Sequence, residues 1–370
     1  MKITDVEGIA LSYLPENPPQ DGLSGIASRD VFLVRVHTDA GLTGLGEGFA
    51  LGSLRSLAAV VEETLKPLLL GEDPRDISRL WRRLYHFTFR YGRRGLILPG
   101  ISAVDLALWD ILGKAAGLPV YKLGGGCREA VPAYASGGYY QAGKGLAGLE
   151  AEMAGYRDRG FARMKMKIGG LGREGDIERI RAAKAVLGPE RELAVDANNA
   201  YDFNQALAMG RRLDEIGVAF FEEPISSDFP GASAELARRL DTPVAGYETE
   251  VTSFGMREFI AGGAVDIVQA DAIWSGGITD CLRISALAQA WGLGVIPHFS
   301  AAAVSLAANL HWAAMVPNCD WIELTQDPNP LRDELAREPL VLEKGRLLLP
   351  ARPGLGVELD DRVVEKYRVG

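Results

Sequence analysis

Three carboxylates, Asp196, Glu222 and Glu248, recur at steps of 26 residues, and each lies late in a short apolar run: ELAVDANN, VAFFEEP and PVAGYE. Acids gathered in one place raise one another's pKa, so three neighbours stay ionised together only beside a cation. A donor set of oxygens alone, without His or Cys, suits a hard ion: Mg²⁺ first, with Mn²⁺ as the alternative. Upstream, RMKMKIGG (163–170) turns Lys165 and Lys167 to one face of a strand and Met164, Met166 and Ile168 to the other. At roughly 3.3 Å per residue the two ammonium groups stand about 7 Å apart, where an effective dielectric of about 20 gives a repulsion of ~2.4 kcal/mol. Taken alone, that moves one lysine from ~10.4 towards ~8.5, the range of a working base. A metal ion pushes the same way and the carboxylates push back, so the sequence leaves the sign of the sum open. Downstream, Asp271 in DIVQADA and His298 in GVIPHF are 27 residues apart. On adjacent strands the acid would fix the imidazole tautomer and raise its basicity. Glu323, in WIELT, completes the series.

Each of these residues has an ordinary alternative. A single acid after a strand often caps a helix, and KxK in isolation suits an edge strand with a solvated face. Acids in register and the apolar face opposite the lysines argue instead for internal strands with a charged end.

The elements that must position them follow from the spacing. From about residue 132, VPAYASGGYY, ARMKMKIGG, ELAVDANN, VAFFEEP, PVAGYE, DIVQADA, GVIPHF and WIELT read as strands, with amphipathic helical patterns between them, such as GDIERIRAAKAVLG and TDCLRISALAQAWG. Eight such βα units predict a closed parallel barrel, whose chemistry sits at the C-terminal strand ends. An open doubly wound sheet would carry a glycine-rich phosphate loop after its first strand, and GLGEG (44–48) fits neither that pattern nor a Walker motif. Residues 1–125 have a different texture: VFLVRVHTDAGLTGLGEGF reads as a hairpin turning at Asp39-Ala40-Gly41, followed by helical SLAAVVEETLKPLLL and ISAVDLALWDILGKAAG. The expected architecture is an α+β capping domain (1–125), a barrel (126–345) and a Gly- and Pro-rich segment (346–370) that folds back on the cap.

Composition narrows the function. The 370 residues are 47% hydrophobic and 24% charged, with a formal net charge of −9. No basic stripe interleaves with aromatics, which argues against a nucleic-acid partner. No apolar run approaches the ~20 residues of a membrane helix, and the N-terminus lacks a signal-peptide core, so a cytoplasmic protein is expected. Cys127, Cys281 and Cys319 are odd in number and lack CxxC spacing, which points away from disulfides and thiolate zinc.

Taken together, KxK, DxN, EEP, GxE, QAD, PHF and WIE resemble the mandelate racemase branch of the enolase superfamily, within the wider group that includes the muconate lactonizing enzymes. LWDILGKAAGLPVYKLGGG (108–126), PNPLRDEL and PGLGVEL extend the resemblance over essentially the whole chain. It implies an α/β fold, a (β/α)7β barrel with the capping domain completed by the C-terminal segment, and abstraction of a proton α to a carboxylate, with a Lys or His base and Mg²⁺. Asp196, Glu222 and Glu248 would hold the ion. Lys167 would be one acid/base, with Lys165 tuning it and contacting the substrate carboxylate. His298, oriented by Asp271, would act from the opposite face. Glu323 would hydrogen-bond the enolate oxygen, protonated when it acts, and Asn198 would touch the substrate or support the ligands. The implied partner is a small carboxylate, most simply an acid sugar (aldonic or aldaric) dehydrated to a 2-keto-3-deoxy acid. The same pair could serve a racemase, an epimerase or a sugar-lactone cycloisomerase, and a non-catalytic binding barrel is the remaining alternative. The family also implies a homo-oligomer, a dimer or octamer.

Two positions depart from the family pattern. Tyr247 stands before the third ligand, where glycine is frequent, and Asn198 stands where some sugar-acid dehydratases carry histidine. Specificity is expected from the loop LPENPPQDGLSG (14–25) and from RYGRRG (90–95), where Arg90, Arg93 and Arg94 could bind the distal carboxylate of a diacid.

Overall fold

Two sheets carry the chain, and in the computed structural model every residue except Arg93 and Gly370 is described. The first is antiparallel, in the order β1 (Ile3–Tyr13), β2 (Arg29–Thr38), β3 (Thr43–Phe49). The β2–β3 turn falls where the sequence places it: Gly41, at φ 76°, donates its N–H to Thr38 O at 3.1 Å. Packed on this sheet and on one another are α1 (Leu54–Ala59), a π-helical turn (Val60–Leu65), α2 (Lys66–Leu69), α3 (Ile77–Thr88) and α4 (Ile97–Ala116). The glycines of GLGEG serve that packing. A Cβ on Gly44 or Gly46 would come within 2.0 or 1.9 Å of the carbonyl oxygens of Ala107 and Ala103, so only glycine lets α4 lie on β3.

After α5 (Val120–Leu123) comes the parallel sheet: β4 (Ala130–Gly137), β5 (Arg163–Lys167), β6 (Glu192–Asp196), β7 (Phe221–Glu222), β8 (Val244–Gly246), β9 (Ile267–Ala270), β10 (Gly294–Pro297) and β11 (Ile322–Thr325). The strands neighbour one another in chain order from β4 to β10, and β11 pairs with β4. β10 and β11 meet at the seam, where Val295 N–H reaches Asn318 O at 2.8 Å. Seven helices connect the eight strands: α6 (Leu146–Asp158), α7 (Arg173–Leu187), α8 (Phe203–Ile216), α9 (Pro230–Arg239), α10 (Thr252–Gly262), α11 (Gly277–Ala290) and α12 (Ala303–Met315). This is the (β/α)7β barrel implied by the resemblance rather than eight full repeats. Tyr134, Ala194, Phe220, Ala245 and Ile296 form a buried apolar cluster drawn from five of its strands or the residue just before one, a packed core rather than a pore.

The C-terminal segment does less, and more, than fold back on the cap. After α13 (Pro330–Asp333), the short strands β12 (Leu342–Glu343) and β13 (Arg346–Leu348) form a hairpin, and β13 pairs antiparallel with the start of β4, extending the barrel sheet. Only beyond residue 350 does the chain reach the cap: Leu355 N–H bonds Asp110 Oδ1 at 2.8 Å, and α14 (Asp361–Tyr367) packs on β1.

The cap is fixed over the C-terminal ends of the strands by contacts to the loops there. Phe49 stacks on Trp274 with ring centroids 3.8 Å apart and planes 5° from parallel. Glu47 on β3 accepts the N–H groups of Ala302 and Ser305 at 3.0 and 2.8 Å, capping α12 from the other module. Trp81 Nε1 donates to Gly276 O at 2.7 Å. Among the described residues no helix is long and apolar enough to cross a membrane.

Candidate active site

Register builds the ionic layer. Lys167 lies opposite Asp196, and Asp196 opposite Glu222, so three adjacent strands present one charged rung. Lys165 points the same way one pleat deeper, fully buried, with its Nζ bonded to Glu222 Oε1, 2.8 Å from Glu323 Oε1 and 3.4 Å from Asp196 Oδ2. Lys167 Nζ is 2.5 Å from Asp196 Oδ2. Burial pulls both ammonium groups down, but the surrounding carboxylates outweigh it, and both lysines are held above their ordinary value. Among the protein's own groups, the acids outweigh the mutual repulsion of the lysines.

Glu248 enters differently. The residue opposite Glu222 on β8 is Ala245, so Glu248 comes from the turn beyond the strand and not from the same rung. Tyr247 turns to the helices, its hydroxyl 2.9 Å from Ser233 Oγ. Glu223 is a fourth acid that the sequence reading passed over. It is buried at φ 39°, with Oε2 accepting from Asn199 Nδ2 at 2.6 Å and Oε1 from Thr249 Oγ1 at 3.0 Å. Burial, and then the neighbouring carboxylates, drive Glu222 and Glu223 well above the usual range. Six carboxyls (Asp196, Glu222, Glu223, Glu248, Asp271 and Glu323) are thus buried together with two lysines and one histidine. Glu248 Oε2 and Asn198 Oδ1 are buried without a hydrogen-bond partner. Carboxyls crowded enough to push Glu222 and Glu223 towards the neutral acid, orphaned acceptor oxygens and an oxygen-only donor set together fit a hard divalent cation. Among the described residues no three acids or imidazoles converge to ligating distance as the side chains stand, because Asp196 and Glu222 are turned onto the lysines.

Across the mouth, His298 follows β10 and Asp271 follows β9. His298 Nδ1 is 3.0 Å from Asp271 Oδ2, and Nε2 is 3.8 Å from Glu248 Oε1. Asp271 is itself held: its Oδ1 accepts the Ile273 N–H at 3.1 Å and Asn309 Nδ2 at 2.8 Å. Burial lowers the imidazole pKa, while Glu248, Asp271 and Glu323 raise it, for a net position of about 9. Glu323 is buried against Lys165. Although burial favours its neutral form, Lys165, His298 and Lys167 hold it below the usual carboxylate range, and it accepts the Phe299 N–H at 3.2 Å.

A cavity of about 220 Å³ lies between these residues and the cap. Lys167, Asn198, Glu223, Glu248 and His298 line it from the barrel, and Arg29, Asp30, Phe49 and the 21–26 loop line it from the cap. Lys165, Asp196 and Glu222 are not among its lining residues, nor are Asp271 and Glu323, so Lys165 supports the wall and does not face the space above it. The segment 90–95 behaves differently from expectation. Arg94 is bonded to Glu250 and lies 3.6 Å from Asp228, which takes it out of the cavity; Arg90 stacks on Phe89, and Arg93 lies outside the described residues. The arginine that does line the cavity is Arg29, paired with Asp327 at 2.5 Å across 298 positions of sequence, a partnership without a local signal.

Models of known families match both modules. Residues 10–125 fit the N-terminal domain of mandelate racemase / muconate lactonizing enzyme, and residues 148–363 fit the enolase C-terminal domain-like family. The chain belongs to the mandelate racemase / muconate lactonizing enzyme family of the enolase superfamily. Its relatives in that family include an arabinonate dehydratase of Saccharolobus solfataricus, 45% identical over 99% of both chains. A D-galactarolactone cycloisomerase of Agrobacterium fabrum is 36% identical over 100% of this chain and 99% of its own. Among solved structures of the superfamily, a racemase from Streptomyces coelicolor A3(2) with bound magnesium superposes with a TM-score of 0.92 at 27% identity, covering 99% of this chain and 100% of its own.

Proposed function

We propose that this enzyme dehydrates an acid sugar to a 2-keto-3-deoxy acid. The observation that carries the reading is the placement of Lys167 and His298 on one cavity from β5 and β10, three strands apart one way round the barrel and five the other, hence on nearly opposite walls. Such a pair can address two faces of one substrate: one group takes the proton from C2, and the other donates a proton to the departing C3 hydroxyl. Cleavage of the C–O bond releases water and leaves an enol, which tautomerises to the keto acid. The similarity to an arabinonate dehydratase supports this class.

Asp196, Glu222 and Glu248 would hold Mg²⁺, with Glu223 beside them. When bound, the ion supplies a Lewis acid for the substrate carboxylate and for the charge that develops in the enolate. Asp196 and Glu222, once engaged as ligands, would no longer neutralise the lysines. Burial and mutual repulsion would then lower Lys167 towards the range of a base. Asp271 keeps His298 oriented with Nε2 towards the cavity. Asn198 Oδ1, buried and unpaired, would accept from a substrate hydroxyl or a bound water.

A cycloisomerase of the same family, 36% identical, favours a second reading in which the pair opens a sugar lactone. Incubation with Mg²⁺ and a panel of acid sugars in D₂O separates dehydration from 1,1-proton transfer, and the matching lactones in the same panel test ring opening. Formation of a 2-keto acid supports dehydration; deuterium incorporation at C2 with no keto acid formed refutes it in favour of 1,1-proton transfer.

A further inference from the structure

Resting on the reading of the mouth as a sugar-acid site, we infer that its cap side selects a monocarboxylic acid over a diacid, and that Arg29 and Asp327 make the selection. Three cationic side chains line the cavity among the described residues: Lys167, His298 and Arg29. The first two belong to the reacting end. Arg29 is the one left for a distal group, and its charge is already matched. Its Nη2 is 2.5 Å from Asp327 Oδ2, with the two side chains only 7% and 9% exposed, and its Nη1 donates to Ser300 Oγ at 3.3 Å. Breaking a buried pair of this kind leaves one charge stranded, so a ligand carboxylate does not capture Arg29 cheaply.

What Arg29 still offers is Nε, buried and without a hydrogen-bond partner. That is a single N–H in a locally neutral setting, suited to the oxygen of a hydroxyl. The rest of the cap wall adds acids, not cations. Asp21 Oδ1 accepts the N–H groups of Leu23 and Ser24, and Asp30 accepts the Ser12 hydroxyl at 2.7 Å and the Gly52 N–H at 2.7 Å. Arg94, another cation at the cap–barrel junction, is committed to Glu250. A second carboxylate placed here would lose its water, meet Asp21 and Asp30, and find no uncommitted positive charge among the described residues. A hydroxylated end meets a free donor and several acceptors instead.

Calorimetric titration of Mg²⁺-loaded Lys167→Ala protein, which holds ligands without turning them over, tests this with five- and six-carbon aldonic acids and the matching aldaric acids. The best aldonate should bind at least about tenfold more tightly than any aldarate, and Asp327→Asn in the same background, which frees the Arg29 charge, should shrink that ratio by about tenfold or more. An aldarate that binds as tightly as the best aldonate overturns the inference, as does a ratio unmoved in a folded Asp327→Asn protein. The ratio in the parent protein decides alone if that variant does not fold. Keto-acid formation by the unsubstituted enzyme is followed separately. Selective aldonate binding without it sinks the dehydration reading and leaves the selection standing, whereas turnover of aldarates as efficient as that of aldonates does the reverse. Failure of both classes to bind overturns both.

Discussion

His298 and His311 stand on the same strand–helix unit, both buried, and their imidazoles are displaced in opposite directions. His298, at the end of β10, is moved up to about 9, while His311, on α12, is moved down to about 4. Desolvation lowers both, so burial alone does not distinguish them. The partners do. His298 faces the carboxylates of Asp271 and Glu248. The ring nitrogens of His311 meet only backbone: Nδ1 accepts the Tyr121 N–H at 3.1 Å, and Nε2 lies 3.2 Å from Leu355 O, which assigns the proton to Nε2. One histidine is built to carry charge, and the other is a neutral clamp between the barrel helix, α5 and the C-terminal segment.

The strongest way to break this contrast is to remove each side chain. His298→Asn or Lys167→Ala should lower kcat by about 10²- to 10⁴-fold on the substrate identified by screening, with the fold intact by circular dichroism. His311→Gln should leave kcat within a few-fold and lower Tm instead. Retention of full activity by both His298→Asn and Lys167→Ala would remove them from the chemistry altogether.

Acid sharpens the comparison next. The folded state holds His311 at about 4 against an ordinary 6.5, so the neutral ring stabilises the fold above pH 6.5. That contribution, roughly 3 kcal/mol, is lost progressively as pH falls from 6.5 towards 4, because the unfolded chain takes up the proton first. Glu47 and Asp105, pushed up to about 7 chiefly by burial, act in the opposite sense over the same window, since acidification spares them a buried charge. The diagnostic is therefore the difference between the urea-unfolding free energies of the unsubstituted protein and His311→Gln. It should narrow between pH 7 and 4; a constant difference would mean that His311 is not buried neutral.

The two histidines also show what the sequence could and could not tell. His298 was legible because it ends a strand one repeat after Asp271, and the same period exposed the acids of β6, β7 and the β8 turn. Periodicity reports which residues share a rim, but not how their charges settle. The directions of the lysine and Glu323 shifts depend on ammonium-to-carboxylate distances of 2.5–3.4 Å, which no spacing encodes. Helix α6 (LAGLEAEMAGYRD) carries a weak helical signal, because only three of its residues are buried and two glycines interrupt its stripe. The exchange of Arg94 for Arg29 at the cavity has a similar origin: Arg29 reaches Asp327, and Arg94 reaches Glu250, only once the cap closes on the barrel.

The smallest expected effect tests whether the second layer behind His298 takes part in function or only in packing. Asn309 sits on α12 between the two histidines, fully buried, and spans the β9 loop: Nδ2 donates to Asp271 Oδ1 at 2.8 Å, and Oδ1 accepts the Ala272 N–H at 2.9 Å. Removing it leaves Asp271 with its bonds to the Ile273 N–H and to His298 but frees the carboxylate to rotate away from the ring. A hydrogen bond to a charged group is worth about 1.5–3 kcal/mol, of which only the part that strengthens in the transition state appears in kcat. Asn309→Ala should therefore lower kcat by roughly 3- to 10-fold with KM nearly unchanged. A residue that merely packs would lower Tm and leave kcat alone, and that result would confine the functional network to Asp271 and His298.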